Sequence, residues 1–201
     1  MGVGETDVCN RALILCGVSR GISSMEEKSA EASVCRKVYK QVFRSLLAAH
    51  PWSWTVRVCA LEQMDVTVPG WKYLYTPPQD CAVLCRVFSE EEANAPFRML
   101  TAEVRKGVFE PAVATNLYQA HAEFRSSAIP SFMPDLFAEA LAYRLAMEIC
   151  VSLQGDNMNM RDHLARFYNE AVQRAAWNDA NEAVPADAGT DWADEYVRSR
   201  A

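Results

Sequence analysis

The stretch of sequence between residues 135 and 153 is apolar around almost its whole circumference when it is wound as a helix. Its apolar positions are Leu136, Phe137, Ala140, Leu141, Leu145, Met147, Ile149, Cys150 and Val151. Such a helix is stable in water only when other elements cover it on several sides. Pro134 and the candidate cap Ser131 suit its start, and Gly155 suits its end. The stretch therefore predicts a central, buried helix that the rest of the chain must cover.

Two helical patterns precede this stretch. The first runs from about residue 7 to 17, with Thr6 as its N-cap and Gly17 as its stop. The second begins at Ser29 and has to end near His50, because the following proline disfavours helical geometry in the residue before it. Its apolar positions form two adjacent rows, which are Val34, Val38, Val42, Leu46 and Cys35, Tyr39, Phe43, Leu47. We therefore expect a first pair of helices, the second of which buries a broad stripe.

A fourth helical pattern follows the central one and runs from about residue 158 to 182. Its expected buried stripe consists of Leu164, Phe167, Ala171 and Ala175, and the opposite face is charged. The connections within each of the two helix pairs are short, which favours antiparallel packing. The sequence thus predicts that the four helices form one bundle.

Between the two helix pairs the apolar period changes from that of a helix to that of a strand. Alternating residues predict strands around three sets, which are Val56, Val58, Ala60; Trp71, Tyr73, Tyr75; and Cys81, Val83, Cys85, Val87. Weaker strand patterns cover residues 97–100, 105–109 and 113–118, and Lys106 with Gly107 is a candidate turn. This part of the chain is therefore expected to be rich in β-structure.

These patterns together predict an α+β fold that is mainly α. We expect a four-helix bundle with a β-rich insertion between the second and third helices, followed by a flexible C-terminal tail. The two halves of the bundle are assigned to residues 1–51 and 130–184, and the insertion to residues 52–129. The tail, residues 185–201, has no periodic core and is expected to be loose when the chain is alone.

The chain carries a net charge of −6, and the charge is unevenly spread. Residues 1–60 hold eight basic and five acidic side chains, whereas residues 61–201 hold twelve basic and twenty-one acidic ones. An acidic chain is a poor general binder of DNA, because phosphate contacts need clustered cations. Such a chain could still line a channel through which DNA slides without sticking.

Membrane and secretion signals are not visible in the sequence. No apolar run approaches the ~20 residues of a membrane-spanning helix, and the first six residues lack the basic and then apolar pattern of a signal peptide. The seven cysteines are an odd number and lie mostly in apolar periodic segments: Cys9, Cys16, Cys35, Cys59, Cys81, Cys85 and Cys150. We therefore expect synthesis in the cytoplasm, no membrane contact, and reduced cysteines that act as small core residues.

Motifs that would carry catalysis are weak throughout. His50, His121 and His163 lie in different predicted elements and share no metal-binding spacing. Cys81 and Cys85 have no second Cys or His pair that would complete a zinc site. No glycine-rich phosphate loop is present. The sequence therefore predicts that the protein is not an enzyme and has no catalytic residue, metal site or cofactor.

Two surfaces leave their interpretation open. Arg36, Lys40 and Arg44 form one basic row on the second helix, which is either a solvated face or a contact for an acidic partner or nucleic acid. A group of aromatic residues marks the start of the insertion: Trp52, Trp54, Trp71, Tyr73 and Tyr75. These aromatic residues either close the joint between helices and sheet or form an oligomer interface.

The order of short sequence pieces resembles a known family. The first helix contains the run from Ala12 to Gly17, and the second ends in His50-Pro51-Trp52-Ser53-Trp54. A later piece reads Tyr73-x-Tyr75-x-Pro77-Pro78-x-Asp80. This order resembles the tail tubular protein A family, the head–tail adaptors of short-tailed bacteriophages and prophages. The resemblance covers residues 8 to about 182, and none of its pieces is catalytic.

The resemblance implies a structural protein of the virion. Proteins of this family assemble, usually twelvefold, into a ring at the head–tail junction. The ring binds the portal protein above and the tail nozzle protein below, and DNA passes through its lumen without sequence-specific contacts. Their C-terminal segments embrace the portal, which in this chain points to Trp192, Tyr196, Val197, Arg198 and Arg200. Trp71, Tyr73 and Tyr75 are further candidates for partner binding.

Two other functions remain open at this stage. The chain could be a phage assembly chaperone or another helical interaction module, or an enzyme whose site is not visible in the sequence. The β-rich insertion and the aromatic residues of the tail favour the adaptor over the chaperone. An adaptor stays in the finished particle, whereas a chaperone leaves it.

Overall fold

The computed structural model describes residues 2–155 and 158–182. In this part of the chain the helices are α1 (Glu5–Leu15), α2 (Ala30–Ala49), α3 (Asp135–Gln154) and α4 (Met158–Glu182), with a 3-10 turn at Ser53–Thr55. The strands are β1 (Val56–Ala60), β2 (Glu62–Gln63), β3 (Tyr73–Thr76), β4 (Cys81–Phe88), β5 (Phe97–Arg105), β6 (Val108–Thr115) and β7 (His121–Ser126).

The chain divides into two compact units. The helical unit consists of Met1–Ser53 and Ile129–Ala201, and the sheet unit is Trp54–Ala128. The predicted tail residues Trp192, Tyr196, Val197, Arg198 and Arg200 all lie outside the described residues.

In the helical unit, α3 is the element to which the other helices attach. The main packing contacts of α1, α2 and α4 are all with α3. Leu141 and Leu145 of α3 are fully buried, and so are Ala140, Ala142, Ala146 and Ile149. The prediction of a central, buried helix is confirmed, and its physical reason is the apolar surface that α3 presents in nearly every direction.

The predicted four-helix bundle is wrong. Each of the three outer helices is amphipathic and buries one stripe, and that stripe faces α3 rather than completing a four-sided core. The helices also differ greatly in length, because α1 has 11 residues and α4 has 25. The chain further contains two antiparallel sheets between α2 and α3. Its fold is a mixed helix and sheet structure with the β-rich part in the middle of the chain.

Most helix ends follow local sequence signals, but α3 begins directly after Pro134, and the predicted cap Ser131 is not its N-cap. The hydroxyl of Ser29 accepts a hydrogen bond from the backbone N–H of Ala32 and caps α2. Gly17 follows α1 with a φ of +76°, a conformation that favours glycine. The N-cap of α1 is Gly4 and not Thr6, which corrects the predicted start. The carboxylate of Asp7 accepts a hydrogen bond from the backbone N–H of Gly4 and stabilises this earlier start.

The sheet unit contains a three-stranded sheet in the order β1-β7-β4 and a four-stranded sheet in the order β2-β3-β6-β5. All strand pairs are antiparallel. Buried residues of both sheets share one cluster: Leu61, Tyr75, Val87, Val113, Ala120 and Ala122. A second cluster on the other face of the four-stranded sheet contains Leu74, Ala102, Ala112 and Ala114. The four-stranded sheet is thus covered on both faces near β3.

Candidate interaction surfaces

The far end of the β5–β6 hairpin extends beyond its neighbouring strand. β3 pairs with β6 only at Val113, Ala114 and Thr115, whereas β5 pairs with β6 along its whole length as far as Arg105. Residues 103–111 therefore form a two-stranded ribbon without a third strand beside it. All of them are exposed except Val104, which is half-buried. We call residues 103–111 the hairpin end.

The hairpin end exposes apolar side chains. Phe109 is 63% exposed and Val108 is 47% exposed, directly after the turn at Lys106 and Gly107. Gly107 has a φ of +80°, and its backbone N–H donates to Oε1 of Glu103 at 2.7 Å, so the turn is well defined. An exposed phenylalanine on a projecting ribbon leaves apolar area in water, and burial of such a side chain is worth about 2 kcal/mol. The hairpin end is therefore a candidate contact surface.

An apolar groove lies at the base of the same hairpin. Its volume is about 660 Å³. Its walls come from β4, from the turn after β3 and from the hairpin, and they include Pro77, Pro78, Val83, Leu84, Met99 and Pro111. Val83 is 50% exposed and Met99 is 45% exposed. The sheet unit thus carries both an exposed apolar projection and an open apolar groove.

The three aromatic residues that the sequence suggested for partner binding do not share one surface. Tyr75 is 1% exposed, and its hydroxyl donates to the carbonyl of Leu117 at 2.9 Å, so it is a core residue of the sheet unit. Tyr73 packs against the same cluster, and its ring lies 5.5 Å from that of Tyr118, which is 59% exposed. Trp71 packs instead against the cluster around Leu74. Tyr118, which the sequence did not single out, is the most exposed of these rings.

Residues at the start of the sequence piece from His50 to Trp54 connect the end of α2 to other helices. We call this connection the joint. The indole N–H of Trp52 donates to the carbonyl of Leu46 at 3.0 Å, which satisfies a carbonyl in the last turn of α2. The Trp52 ring packs edge-on against Phe137 of α3, with 5.0 Å between ring centroids. Trp52 is 1% exposed. It therefore fixes the end of α2 against the central helix.

Asp179 of α4 completes this joint. Its carboxylate accepts hydrogen bonds from the backbone N–H of Ser53 at 2.9 and 3.1 Å and from the Ser53 hydroxyl at 2.8 Å. Nε2 of His50 lies 3.4 Å from the same carboxylate. Asp179 is 8% exposed. It ties α4 to the end of α2, and no feature of the sequence had marked it.

Serine, histidine and aspartate meet at this joint, but in the wrong order for nucleophilic catalysis. A catalytic serine donates its hydroxyl proton to a histidine, which the carboxylate orients from the other side. In this arrangement the Ser53 hydroxyl donates to Asp179, and His50 contacts the same carboxylate. The carboxylate thus lies between the two other groups. The geometry supports a structural connection and gives Ser53 no activating base.

Replacing Asp179 by alanine is expected to lower the free energy of unfolding of the helical unit by about 2–3 kcal/mol. The change leaves the Ser53 N–H and hydroxyl without their acceptor in a largely buried place. Urea unfolding followed by far-ultraviolet circular dichroism measures the effect. Asp162→Ala removes an exposed carboxylate from the same helix and serves as the control. Equal stability of the two variants would show that the joint contributes little.

Asp80, which lies in the sequence pieces that carry the family resemblance, also has a structural role. It accepts hydrogen bonds from the Arg57 guanidinium at 2.9 Å and from the Ser126 hydroxyl. Its backbone carbonyl accepts from the N–H of Ser127 at 2.7 Å. Asp80 thereby joins the end of β7 to β1 and to the start of β4. The residues that carry the family resemblance therefore hold the fold together at two places.

The cysteines of the helical unit are buried in its core. Cys9, Cys16, Cys35 and Cys150 are at most 1% exposed. Burial and the neighbouring Cys150 thiol raise the pKa of Cys16 to about 12. Contact with the Cys35 thiol, together with burial, also raises the pKa of Cys9. A thiol that remains protonated and is covered by the core is a poor nucleophile.

Thiol labelling at pH 8 is expected to show one rapidly reacting cysteine in the folded protein. Cys85 is exposed, whereas Cys59 and Cys81 are half-buried and burial raises the pKa of each. The four buried cysteines should react only after unfolding. A chromogenic disulfide reagent measures the number and rate of reacting thiols, and Cys85→Ser should remove the fast phase. Fast reaction of several thiols would mean that the core opens more readily than its burial indicates.

Within residues 2–155 and 158–182, no group of three or more His, Cys, Asp or Glu side chains is arranged to hold a metal ion. Among the helices of the same residues, none is both long enough and apolar enough to span a bilayer.

Neither a protein-family model nor a curated protein sequence matches the chain. The resemblance to head–tail adaptors therefore depends on the order of the sequence pieces alone.

Proposed function

We propose that the protein is a structural head–tail adaptor of a short-tailed bacteriophage or prophage. In this proposal, copies of the chain form a ring between the portal protein and the tail nozzle protein in the virion. The ring has twelve copies, as the family resemblance implies, and DNA passes through it. The function depends on contact surfaces, and no step of it requires a catalytic residue or a cofactor.

The observation that carries the proposal is the hairpin end with its exposed Phe109 and Val108. A ribbon that projects from a sheet and presents apolar residues gains stability when another protein chain covers it. We assign this contact to a neighbouring copy of the same chain. The apolar groove at the hairpin base offers that neighbour a surface of the same chemical character.

A contact between a projection and a groove joins two different surfaces of the same protein. Such a contact is heterologous, so repeated addition of copies forms either a closed ring or an open filament. A ring results when the rotation between neighbours divides a full turn, and a portal of fixed symmetry supplies that geometry. In this proposal the portal provides the template on which the ring closes.

The contacts around Asp179 and around Asp80 give the proposal a second, independent support. His50, Ser53 and Asp80 lie in the sequence pieces that resemble the adaptor family, and the structure gives each of them hydrogen bonds or ion contacts that hold elements together. These sequence pieces are thus fold signatures. This fits a family whose members act through surfaces and differ in them.

The test is to purify the particles made by the phage whose genome encodes the chain, and to quantify the protein by mass spectrometry. We expect about twelve copies per particle, in fixed ratio to the portal protein. Electron microscopy of the purified chain mixed with that portal protein should show an added ring. Absence of the chain from finished particles would favour an assembly chaperone and would refute the adaptor.

A further inference from the structure

The exposed face of α2 is strongly basic. Lys37, Lys40 and Arg44 follow one another at spacings of three and four residues, which places them on the same side of the helix. All three are exposed. Arg36 lies beside them and donates hydrogen bonds to the carbonyls of Met25 and Glu27. We call Lys37, Lys40 and Arg44 the basic face.

The basic face has no acidic partner in the described part of the chain. Within residues 2–155 and 158–182, none of its three side chains forms a hydrogen bond or a salt bridge, whereas Arg11, Arg57, Arg86 and Arg174 each do. The sequence itself contains no Asp or Glu between Glu31 and Glu62. Three like charges on one helix face repel each other unless a partner or salt compensates them.

The chain contains a segment of opposite charge beyond the described residues. Residues 187–195 include four carboxylates, Asp187, Asp191, Asp194 and Glu195, and no basic side chain. The charge of this segment is opposite in sign to that of the basic face, with four carboxylates for three cations. The chain carries an overall charge of −6, which opposes the approach of a nucleic acid, and the basic face has no aromatic residue on which bases would stack.

The segment follows the end of α4 in the chain, and the structure describes the position of that helix end. Asp179 binds Ser53 and contacts His50, so the last turn of α4 lies beside the C-terminal end of α2. Glu182, the last described residue, follows three positions later. The path along α2 from His50 to Arg36 is about 21 Å at 1.5 Å per residue. The chain from Glu182 to Glu195 spans up to about 45 Å when extended.

We infer that the basic face of α2 binds the acidic segment, residues 187–195, of the same chain. Residues 183–186 connect the segment to the end of α4, so its effective concentration near the face is high, about millimolar for a short linker. The contact consists of exposed charge pairs, which makes it weak, reversible and sensitive to salt. It therefore holds the segment without preventing its release to another protein. The inference does not depend on the proposed function.

Zero-length cross-linking of the full chain with a carbodiimide tests the contact, because the reagent joins lysine amines to carboxylates that touch them. At low ionic strength, Lys37 and Lys40 should be linked to residues 187–195 in about fivefold higher yield than the exposed Lys72 and Lys106. Salt at about 0.5 M should remove this preference. Equal yields at all four lysines, or no links to α2, would overturn the inference.

Mixing unlabelled chain with nitrogen-15-labelled chain identifies the origin of the linked peptides. Links within one chain give only unmixed pairs, as we expect. Mixed pairs would show that the face binds a second copy, which overturns the inference. A short DNA duplex is the alternative ligand to be tested. Micromolar binding of that duplex through Lys37, Lys40 and Arg44 would identify the basic face as a phosphate-binding surface and would overturn the inference.

A protease assay provides a second readout that needs no cross-linker. Chymotrypsin should cleave after Trp192 and Tyr196 several times faster in the triple variant Lys37→Glu, Lys40→Glu, Arg44→Glu than in the unchanged chain. The matched double variant Lys72→Glu, Lys106→Glu should leave the rate unchanged. If circular dichroism shows that the triple variant is unfolded, replacing the four carboxylates by their amides tests the same contact with α2 intact. Unchanged cleavage in that variant would overturn the inference.

Discussion

Replacing Phe109 by aspartate is expected to abolish ring assembly on the portal while the chain remains folded. Phe109 is 63% exposed in the single chain, so the fold gains little from its ring. Burial of such a side chain in a contact is worth about 2 kcal/mol, which corresponds to about a 30-fold change in affinity. A buried aspartate would add an uncompensated charge. In the proposed ring, each contact between neighbouring copies contains one Phe109. The substitution therefore weakens every contact around the ring.

Mass photometry of the chain mixed with its portal protein measures the assembly, and thermal unfolding of the chain alone measures the fold. Phe109→Leu is the matched control, because it keeps an apolar side chain at the same strand position. We expect the leucine variant to assemble and both variants to melt within a few degrees of the unchanged chain. Normal assembly of the aspartate variant would exclude the hairpin end as the contact between copies.

The central helix could be predicted from the sequence because a single property determined it. A helix with apolar residues on nearly all sides has to be surrounded, whatever the rest of the fold may be. The arrangement of its neighbours could not be obtained in the same way. The stripe on α2 or α4 shows that one face is buried, but it carries no information on which element covers it. The bundle was therefore a plausible assembly of correct helices and still wrong.

The strands show how weak the local sequence signal of an antiparallel strand can be. β7 is the middle strand of its sheet, yet its sequence was not recognised, because its inward residues Ala122, Phe124 and Ser126 include one large apolar side chain. The sequence pattern predicts β4, but buried and exposed residues do not alternate regularly along it. Irregularities in its pairing between Cys81 and Val83 and between Leu84 and Arg86 change which side chains are covered.

The candidate surfaces arise from strand pairing and from contacts between residues that are far apart in the sequence. A turn at Lys106 and Gly107 was visible in the sequence, but the projection of the hairpin end arises because β3 pairs with the last three residues of β6 alone. Asp179 is one of several carboxylates on a long helix, and nothing local connects it to Ser53, 126 positions away. The basic row on α2 was visible, whereas its lack of a partner in the described residues required coordinates.

The substitution Leu141→Ala should cost about 2–5 kcal/mol in the free energy of unfolding of the helical unit. Leu141 has no exposed surface and lies on α3, to which all the other helices attach. Removing most of its side chain loses buried apolar area and leaves a cavity that the surrounding helices can only partly fill. Few single changes in this chain should have a larger effect on stability, because the contacts that are lost hold the unit together.

Urea unfolding followed at 222 nm by circular dichroism provides the measurement, since this signal reports mainly on the helices. Val151→Ala is the matched control, because Val151 lies on the same helix and is 39% exposed. Its removal should cost less than about 1 kcal/mol, since much of its side chain already contacts water. A cost at Leu141 as small as that at Val151 would mean that α3 is not the helix around which the others pack.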